Sequence, residues 1–205
     1  MSACDRRAFL SQGVMTIGGA AVLPSQGAVD ARFEMINTLR SPGPHIVPGE
    51  DPQARIFDTF VGAWDVQYST IHDDDSKEKG AGQLLVGWIL DGRALQDIWI
   101  WNDPARAGRS MGTTIRFFDP KRKTWRVVWT TPFALAVTML EGGGDTRRIV
   151  LEGDGGPRGQ LRWSFNDITA RDFNWRGEFS TDGGKTWRLR EDHHMRRADV
   201  PAIGR

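Results

Sequence analysis

The sequence predicts an all-β protein, a ten-stranded antiparallel up-and-down β-barrel with a short N-terminal helix that closes one end. Short segments of alternating apolar and polar residues recur at regular spacing from residue 62 onward, as is typical of half-buried strands. Tight-turn signals separate these segments, among them Asp91-Gly92 and Gly183-Gly184. A chain of 205 residues with 39% hydrophobic content can bury one core, so we expect a single domain.

The first 31 residues have the features of an export signal. Asp5–Leu10 contains a twin-arginine core, and the apolar run Gly13–Leu23 follows it, too short to span a membrane as a permanent helix. We therefore predict a twin-arginine-type signal region over residues 1–31, cleaved after Gly27 or Ala31, and a periplasmic or secreted protein. A cytoplasmic protein with an ordinary N-terminal helix is the alternative. The single cysteine, Cys4, would be removed, leaving a mature chain without disulfide or thiolate.

The barrel domain is expected over residues 51–200, between a proline-containing linker at 32–50 and a tail at 201–205. Asp51 followed by Pro52 is typical of a helix start. Ile56, Phe57 and Phe60 would share one face of this short helix, which predicts that it plugs one end of the barrel.

Alternation and turn signals assign the ten strands in order. In the first strand Trp64, Val66 and Tyr68 alternate with polar residues. The other nine are predicted at Gly80–Leu90, Arg93–Trp101, Met111–Phe118, Trp125–Thr130, Ala134–Glu141, Arg147–Glu152, Leu161–Ile168, Asp172–Phe179 and Trp187–Arg197. Barrel diameter grows with strand number, so ten strands leave a cavity unless bulky side chains fill it. The nine tryptophans either fill this space or line a pocket for a flat, apolar ligand.

Several classes of function are disfavoured by composition and motifs. A net charge of +1 without a basic stripe argues against nucleic-acid or acidic-membrane partners. The charged connection Ile71–Lys79 lacks the spacing of a calcium loop. The chain shows no nucleophile elbow, phosphate-binding glycine loop or metal signature, and we predict no metal site and no membrane span in the mature protein.

The last strand contains the main candidate for chemistry. Continuing its alternation from Trp187 points Leu189, Glu191, His193 and Met195 inward, and points Arg188, Arg190, Asp192, His194 and Arg196 outward. A lumenal carboxylate beside a lumenal imidazole could perform acid–base work, or the two could belong to a polar network at the barrel mouth.

A second group of candidates lies on other strands. Asp97 and Arg116 could pair with each other or bind a polar ligand group if they face inward; for Arg116 the sequence favours an outward, surface position. Asp97 joins Glu191 and His193 as a candidate catalytic residue. The candidate ligand-binding residues are Tyr68, Trp88, Trp99, Trp101, Arg116, Trp129 and Met195.

Four phrases, in this order and spacing, resemble the calycins, the lipocalin and fatty-acid-binding group. They are Val61-Gly62-Ala63-Trp64, Leu90-Asp91-Gly92-Arg93, Phe117-Phe118-Asp119-Pro120 with Trp129 after it, and Asp182-Gly183-Gly184-Lys185-Thr186-Trp187. More narrowly, residues 52–197 resemble the ten-stranded nitrobindin-like branch and a family of uncharacterised bacterial lipocalin-like proteins. The resemblance implies that Trp64 packs at the closed end against an arginine of the last strand, namely Arg188, Arg190 or Arg196. It also implies haem ligation near His193-His194. Ser180–Trp187 separately matches the Asp-box hairpin of sialidases, and a single copy predicts a stable hairpin.

Three functions remain open from the sequence. The first is a barrel that binds a small, largely apolar molecule, aromatic or cyclic. The second is a lyase, isomerase, hydratase or cyclase that needs no cofactor and uses Glu191 and His193 on a hydrophobic substrate. The third is haem binding through His193. Whether the chain is an enzyme stays open, and a homodimer is compatible with the sequence.

Overall fold

The structure is a computed structural model that describes residues 41–46, 50–102 and 109–199. Ten strands form a closed antiparallel barrel in which each strand pairs with its neighbour in sequence and the last strand pairs with the first. The strands are β1 Gly62–Ile71, β2 Lys77–Ile89, β3 Ala94–Asn102, β4 Arg109–Asp119, β5 Thr124–Thr131, β6 Ala136–Gly144, β7 Ile149–Asp154, β8 Gln160–Asn166, β9 Asp172–Ser180 and β10 Arg188–Arg197. The predicted ten-stranded barrel is confirmed. The signal region, most of the linker and the tail lie outside the described residues.

The predicted helix is replaced by two short 3₁₀ segments, Pro52–Arg55 and Asp58–Phe60. Asp51 caps the first by accepting a hydrogen bond from the amide of Gln53 at 3.0 Å. A stretch this short cannot recover the cost of nucleating an α-helix, which explains the 3₁₀ geometry. Phe57 is fully buried, with its ring 4.8 Å from that of Trp125 in an edge-to-face contact.

Trp64 anchors one end of the barrel core. Its ring is fully buried, and its Nε1 donates to the carbonyl of Phe60 at 2.7 Å. The arginine that covers it is Arg197, whose guanidinium lies 4.1 Å from the ring centre. Arg197 lies directly opposite Trp64 in the β1–β10 register, so the expected partners Arg188, Arg190 and Arg196 are wrong.

A β-bulge in β10 explains a second difference from the expected alternation. The pairing of β10 with β9 shifts register between Leu189 and Glu191, and Arg190 sits at this irregularity. Arg190 was expected to face outward but is 8% exposed, since its guanidinium binds the carbonyl of His72 at 3.1 Å and the carboxylate of Asp73. Beyond the bulge, His193 and Met195 are buried on the side predicted for them.

The predicted hairpin between β9 and β10 is confirmed. Asp182 accepts hydrogen bonds from the amides of Lys185 at 3.0 Å and Thr186 at 2.9 Å, and from the Thr186 hydroxyl at 2.6 Å. The Thr186 donors first, then the Ser180 hydroxyl at 2.8 Å and the Lys185 amide, lower the pKa of Asp182 to about 2. Gly183 and Gly184 have φ values of 76° and 85°, which favour glycine.

In the part of the chain that the structure describes, no helix has the length and apolar character needed to cross a membrane.

Candidate functional site

The barrel encloses a cavity of about 570 Å³, and aromatic side chains form much of its wall. Five tryptophans line it: Trp99, Trp101, Trp129, Trp163 and Trp175. The core cluster around Phe60 and Phe165 lies at its floor, and the exposed residue Arg158 marks its mouth. This volume falls within the range of small-molecule sites, roughly 300–1,000 Å³.

The cavity collects all of the sequence-predicted site residues except Trp88. Those that line it are Tyr68, Asp97, Trp99, Trp101, Arg116, Trp129, Glu191, His193 and Met195. Trp88 instead borders a separate groove of about 1050 Å³ together with Arg55, whose guanidinium lies 5.7 Å from the indole centre. The register explains this: Gly62 at the start of β1 pairs with Val86, and β2 continues past that point. Trp88 is therefore buried in the core cluster beyond the start of β1 and does not line the lumen.

Sequence reasoning missed Trp163 and Trp175 as cavity residues. Trp163 shares the inward face of β8 with Leu161 and Phe165, two residues away on either side. Trp175 shares the inward face of β9 with Phe173. The alternation of both strands therefore indicated that these tryptophans face the lumen. Applying to β8 and β9 the same alternation used for β10 would have found them.

Glycines on neighbouring strands make room for the lumenal rings. A Cβ atom built at Gly80 would overlap the ring of Tyr68, and one at Gly112 would overlap the six-membered ring of Trp129. Gly82 stands in the same relation to Trp99. Because these rings lie across glycine, they stay against the wall and the lumen remains open. Glycine at inward positions of predicted strands is therefore a sequence signal for the cavity.

His193 is set in an aromatic box. Its ring centre lies 4.6 Å from that of Trp175, 5.5 Å from that of Trp99 and 5.9 Å from that of Tyr68. The residue is 7% exposed, and its ring makes no hydrogen bond to any described residue. This burial lowers the pKa of His193 to about 4, so the imidazole is neutral at pH 7. A neutral imidazole offers one donor and one acceptor nitrogen, and both are available to a ligand.

Glu191 lies two residues from His193 and also faces the lumen. Burial raises the pKa of its carboxyl group, opposed by the nearby charge of Arg158. Within the described residues its carboxyl group has no hydrogen-bond partner, and it does not bond to His193. The two groups therefore face an open cavity instead of forming a closed polar network with each other.

Asp97 and Arg116 form a buried ion pair. Each side chain is 5% exposed, and Asp97 also accepts a hydrogen bond from the amide of Thr114 at 3.2 Å. The Arg116 guanidinium lies 4.9 Å from the ring centre of Phe57, and its Nε has no partner among the described residues. Burial lowers the pKa of Arg116 to about 9, which leaves it charged at neutral pH.

The surface position favoured for Arg116 is therefore wrong. Arg116 and Thr114 share the inward face of β4. Asp97 lies opposite Thr114 on β3, so it is the diagonal neighbour of Arg116 on that face. This placement brings the guanidinium to the carboxylate that compensates its charge.

A separate feature lies on the outside of the barrel. Seven exposed apolar side chains lie on the outer faces of β2, β3, β4 and β6 and form what we call the apolar wall: Leu85, Ile98, Met111, Ile115, Phe117, Val137 and Met139. The register places them in adjacent rows, since Ile98 pairs with Leu85, and Ile115 pairs with Val128, which pairs with Met139. Large exposed apolar patches on soluble proteins are often sites of interaction.

Within residues 41–46, 50–102 and 109–199, no group of three or more histidine, cysteine or acidic side chains is placed to hold a metal ion.

The comparisons with known proteins show a similarity in fold alone. No protein-family model and no curated protein matches the chain. Among solved structures, the S-type phycobiliprotein lyase CPES from Guillardia theta is similar with a TM-score of 0.51 and 12% identity, over 72% of this chain and 93% of that one. Rv2717c from M. tuberculosis is similar with a TM-score of 0.54 and 12% identity, over 73% of this chain and 99% of that one. At 12% identity these matches support the barrel fold alone.

Proposed function

We propose that the barrel binds a small, flat and largely apolar molecule, aromatic or cyclic, in its tryptophan-lined lumen. The observation that carries this proposal is His193, a buried neutral imidazole that faces the cavity without a hydrogen-bond partner among the described residues. Its ring nitrogens are not among the fully buried atoms that lack a partner, so they are accessible from the lumen and can form hydrogen bonds with a ligand there. The surrounding indoles supply apolar contact area for the rest of the ligand. We also propose that residues 52–60 close the barrel end at which Trp64 is buried.

The test uses N-phenyl-1-naphthylamine, a neutral aromatic probe whose fluorescence rises in an apolar site. Gly112→Ala should push the Trp129 ring into the lumen and weaken probe binding at least about tenfold, because the displaced ring takes the space of the ligand. Gly87→Ala is the matched control, since a Cβ atom at Gly87 has nothing within 4 Å. Equal binding by wild type and both variants would contradict a lumenal site. Native mass spectrometry of protein purified from its own host would then identify a retained ligand.

The alternative is an enzyme that needs no cofactor, and the state of Glu191 favours it. A carboxyl group whose pKa is raised by an apolar site can serve as a general acid near neutral pH. His193, with its pKa near 4, is a weak base, so in a lyase, isomerase, hydratase or cyclase it would hold the substrate by a hydrogen bond. Asp97 forms an ion pair with Arg116, so any effect it has on the reaction would come from that ion pair. One structurally similar protein is by its name a lyase. Loss of turnover in Glu191→Gln with retained probe binding would support this alternative.

Haem binding through His193 is the third proposal, and it rests on the nitrobindin-like resemblance. The neutral imidazole meets the first requirement of an axial ligand. Ligating histidines almost always donate their second N–H to a partner, and His193 has none among the described residues, so the site fits haem less well than a purely organic ligand. An absorbance spectrum of protein from its own host decides the matter, because haem has an intense Soret band that His193→Gln would abolish.

We further propose export through the N-terminal region. The support is the sequence alone, Arg6-Arg7 followed by an apolar run. A reporter fused behind residues 1–35 should cross the inner membrane, and replacing both arginines with lysine should stop it. Unchanged export of the lysine variant would contradict the proposal.

Two copies of the chain are proposed to pair through the apolar wall. The apolar wall spans five strands spaced by about 4.8 Å and extends about 20 Å along β4. Its area is therefore on the order of 500 Å², without the extra surface that protruding side chains add. A standard interface buries about 800 Å² per partner, so the wall with its rim has a suitable size. The opposite wall is charged and ion-paired, for example Arg162 with Glu152 and Arg176 with Asp192. In a two-fold contact the same patch of both subunits meets, so an apolar patch would bury itself against an apolar patch.

A further inference from the structure

Among the described residues that line the lumen, burial disfavours isolated charge. Asp97 and Arg116 neutralise each other, and the imidazole of His193 is neutral at pH 7. Burial also favours the protonated form of Glu191. A charged ligand group placed at this depth would lose its hydration without gaining a free counter-ion, which is costly. The part of the ligand that enters the lumen is therefore expected to be uncharged.

The mouth is different, because it carries a cation that is free to bind. Arg158 lines the cavity from the turn between β7 and β8, and its guanidinium lies 5.3 Å from the ring centre of Phe179. The described residues give this guanidinium no hydrogen-bond partner. Glu191 is near enough for the charge of Arg158 to oppose the rise in its pKa that burial causes, but the two side chains form no ion pair.

The other acidic group of the mouth lies on a different side of the barrel. Glu78 is on β2, three strands round from β9, which carries Phe179. With strands about 4.8 Å apart, this separation exceeds the Debye length of physiological salt, about 8 Å. Glu78 also has His72 as a neighbour, with 3.7 Å between imidazole nitrogen and carboxylate oxygen. An anionic group bound beside Phe179 would therefore be attracted by the guanidinium of Arg158, while salt would screen its repulsion by the carboxylate of Glu78.

We propose that the ligand is an amphipathic anion, with an uncharged aromatic or cyclic body in the lumen and an anionic group, such as a carboxylate or sulfonate, bound by Arg158 at the mouth. This inference rests on the proposed function. Five donors in a planar fork suit the guanidinium for oxygen anions, and the Phe179 ring beneath it limits the orientations it can adopt.

Two probes that share one aromatic frame test the proposal. N-phenyl-1-naphthylamine is neutral, and 1-anilinonaphthalene-8-sulfonate adds one sulfonate. Arg158→Gln should weaken binding of the sulfonate probe at least about threefold at low salt and leave the neutral probe unchanged. Arg158→Lys should restore part of the loss. Lys185→Gln is the control, since it removes one charge from the exposed β9–β10 hairpin without touching the cavity lining.

The outcomes separate this inference from the proposed function. Binding of the neutral probe to wild type, with the sulfonate probe insensitive to Arg158→Gln, would overturn the anionic group and leave the binding function standing. An equal loss for both probes in Arg158→Gln would also overturn it, because Arg158 would then shape the cavity instead of binding charge. Failure of wild type to bind either probe, or insensitivity of both probes to Gly112→Ala, would overturn the lumenal binding function itself and this inference with it.

Discussion

The effect of replacing Glu191 on the stability of the protein distinguishes a ligand site from a structural polar network. Its carboxyl group is held in the lumen without a hydrogen-bond partner among the described residues, and its pKa is raised above the ordinary 4.5. A raised folded-state pKa means that stability falls as the pH rises above the unfolded value, because the folded state resists losing the proton. Glu191→Gln should therefore be more stable than wild type at neutral pH, by a margin that is smallest near pH 4.

Urea unfolding across this pH range measures the effect. Glu178→Gln is the control, because it makes the same change on the neighbouring strand β9. Glu178 pairs with Leu189 and Arg162 in the sheet and does not line the cavity. A Glu191→Gln variant less stable than wild type at neutral pH would show that the carboxylate has a structural partner.

His193 should make stability depend on pH in the opposite sense. Its folded pKa of about 4 lies below the unfolded value of 6.5, so between these values the unfolded chain binds more protons. Stability is therefore fully present above about pH 6.5 and is lost as the pH falls toward 4. His193→Gln should flatten this part of the profile, whereas His194→Gln, on the exposed face, should keep it. The same slope in wild type and His193→Gln would refute the burial of a neutral imidazole.

The ion pair of Asp97 and Arg116 predicts strong non-additivity. Asp97→Asn leaves a buried guanidinium without a counter-ion and should cost about 3–5 kcal/mol of unfolding free energy. Replacing both residues, as in Asp97→Leu with Arg116→Met, removes both charges and should cost much less. A double-mutant cycle from denaturant unfolding measures the coupling. Additive losses would mean that the two groups do not depend on each other.

At the scale of elements, the strands were predictable because each faces water on one side and the lumen on the other. That arrangement imposes a two-residue alternation, visible in Trp64, Val66 and Tyr68. The alternation also predicted the inward faces of Glu191 and His193. It failed at Arg190, where a bulge adds a residue that no local pattern announces. It did not settle Arg116, since burial of that charge depends on Asp97 on another strand.

The junction of β1 and β10 depends on Trp64. This side chain packs against Phe173 with 4.8 Å between ring centres, binds the Phe60 carbonyl and lies beneath Arg197. Trp64→Ala should lower the unfolding free energy by about 3–5 kcal/mol, as loss of a buried aromatic does. Arg196→Ala, on the exposed face of β10, should cost little. Thermal melting measures both, and a Trp64→Ala variant that melts like wild type would show that this junction is not an anchor.

For the whole molecule, the two sides of the barrel differ in character. The side formed by β7 to β10 carries ion pairs such as Arg176 with Asp192, as expected of a wall that faces water. The side formed by β2 to β6 carries the apolar wall, with Val137 72% and Met139 58% exposed. This asymmetry has no role in lining the lumen, because the two faces of a strand point in opposite directions. The proposed contact between two copies of the chain would account for it.

The proposed dimer contact predicts an assembly that is sensitive to charge. Ile115 lies within the apolar wall, opposite Gln96 and Val128, and is 37% exposed. Ile115→Lys should place two unpaired ammonium groups in a two-fold contact and shift the chain from dimer to monomer, while the barrel keeps its fold because the side chain points outward. Gln67→Lys, on the exposed face of β1, adds the same charge and should leave the dimer intact. Sedimentation velocity over a concentration series measures both variants beside wild type. A wild-type protein that stays monomeric at high concentration, or an Ile115→Lys variant that dimerises as well as Gln67→Lys, would refute the apolar wall as the site of self-association.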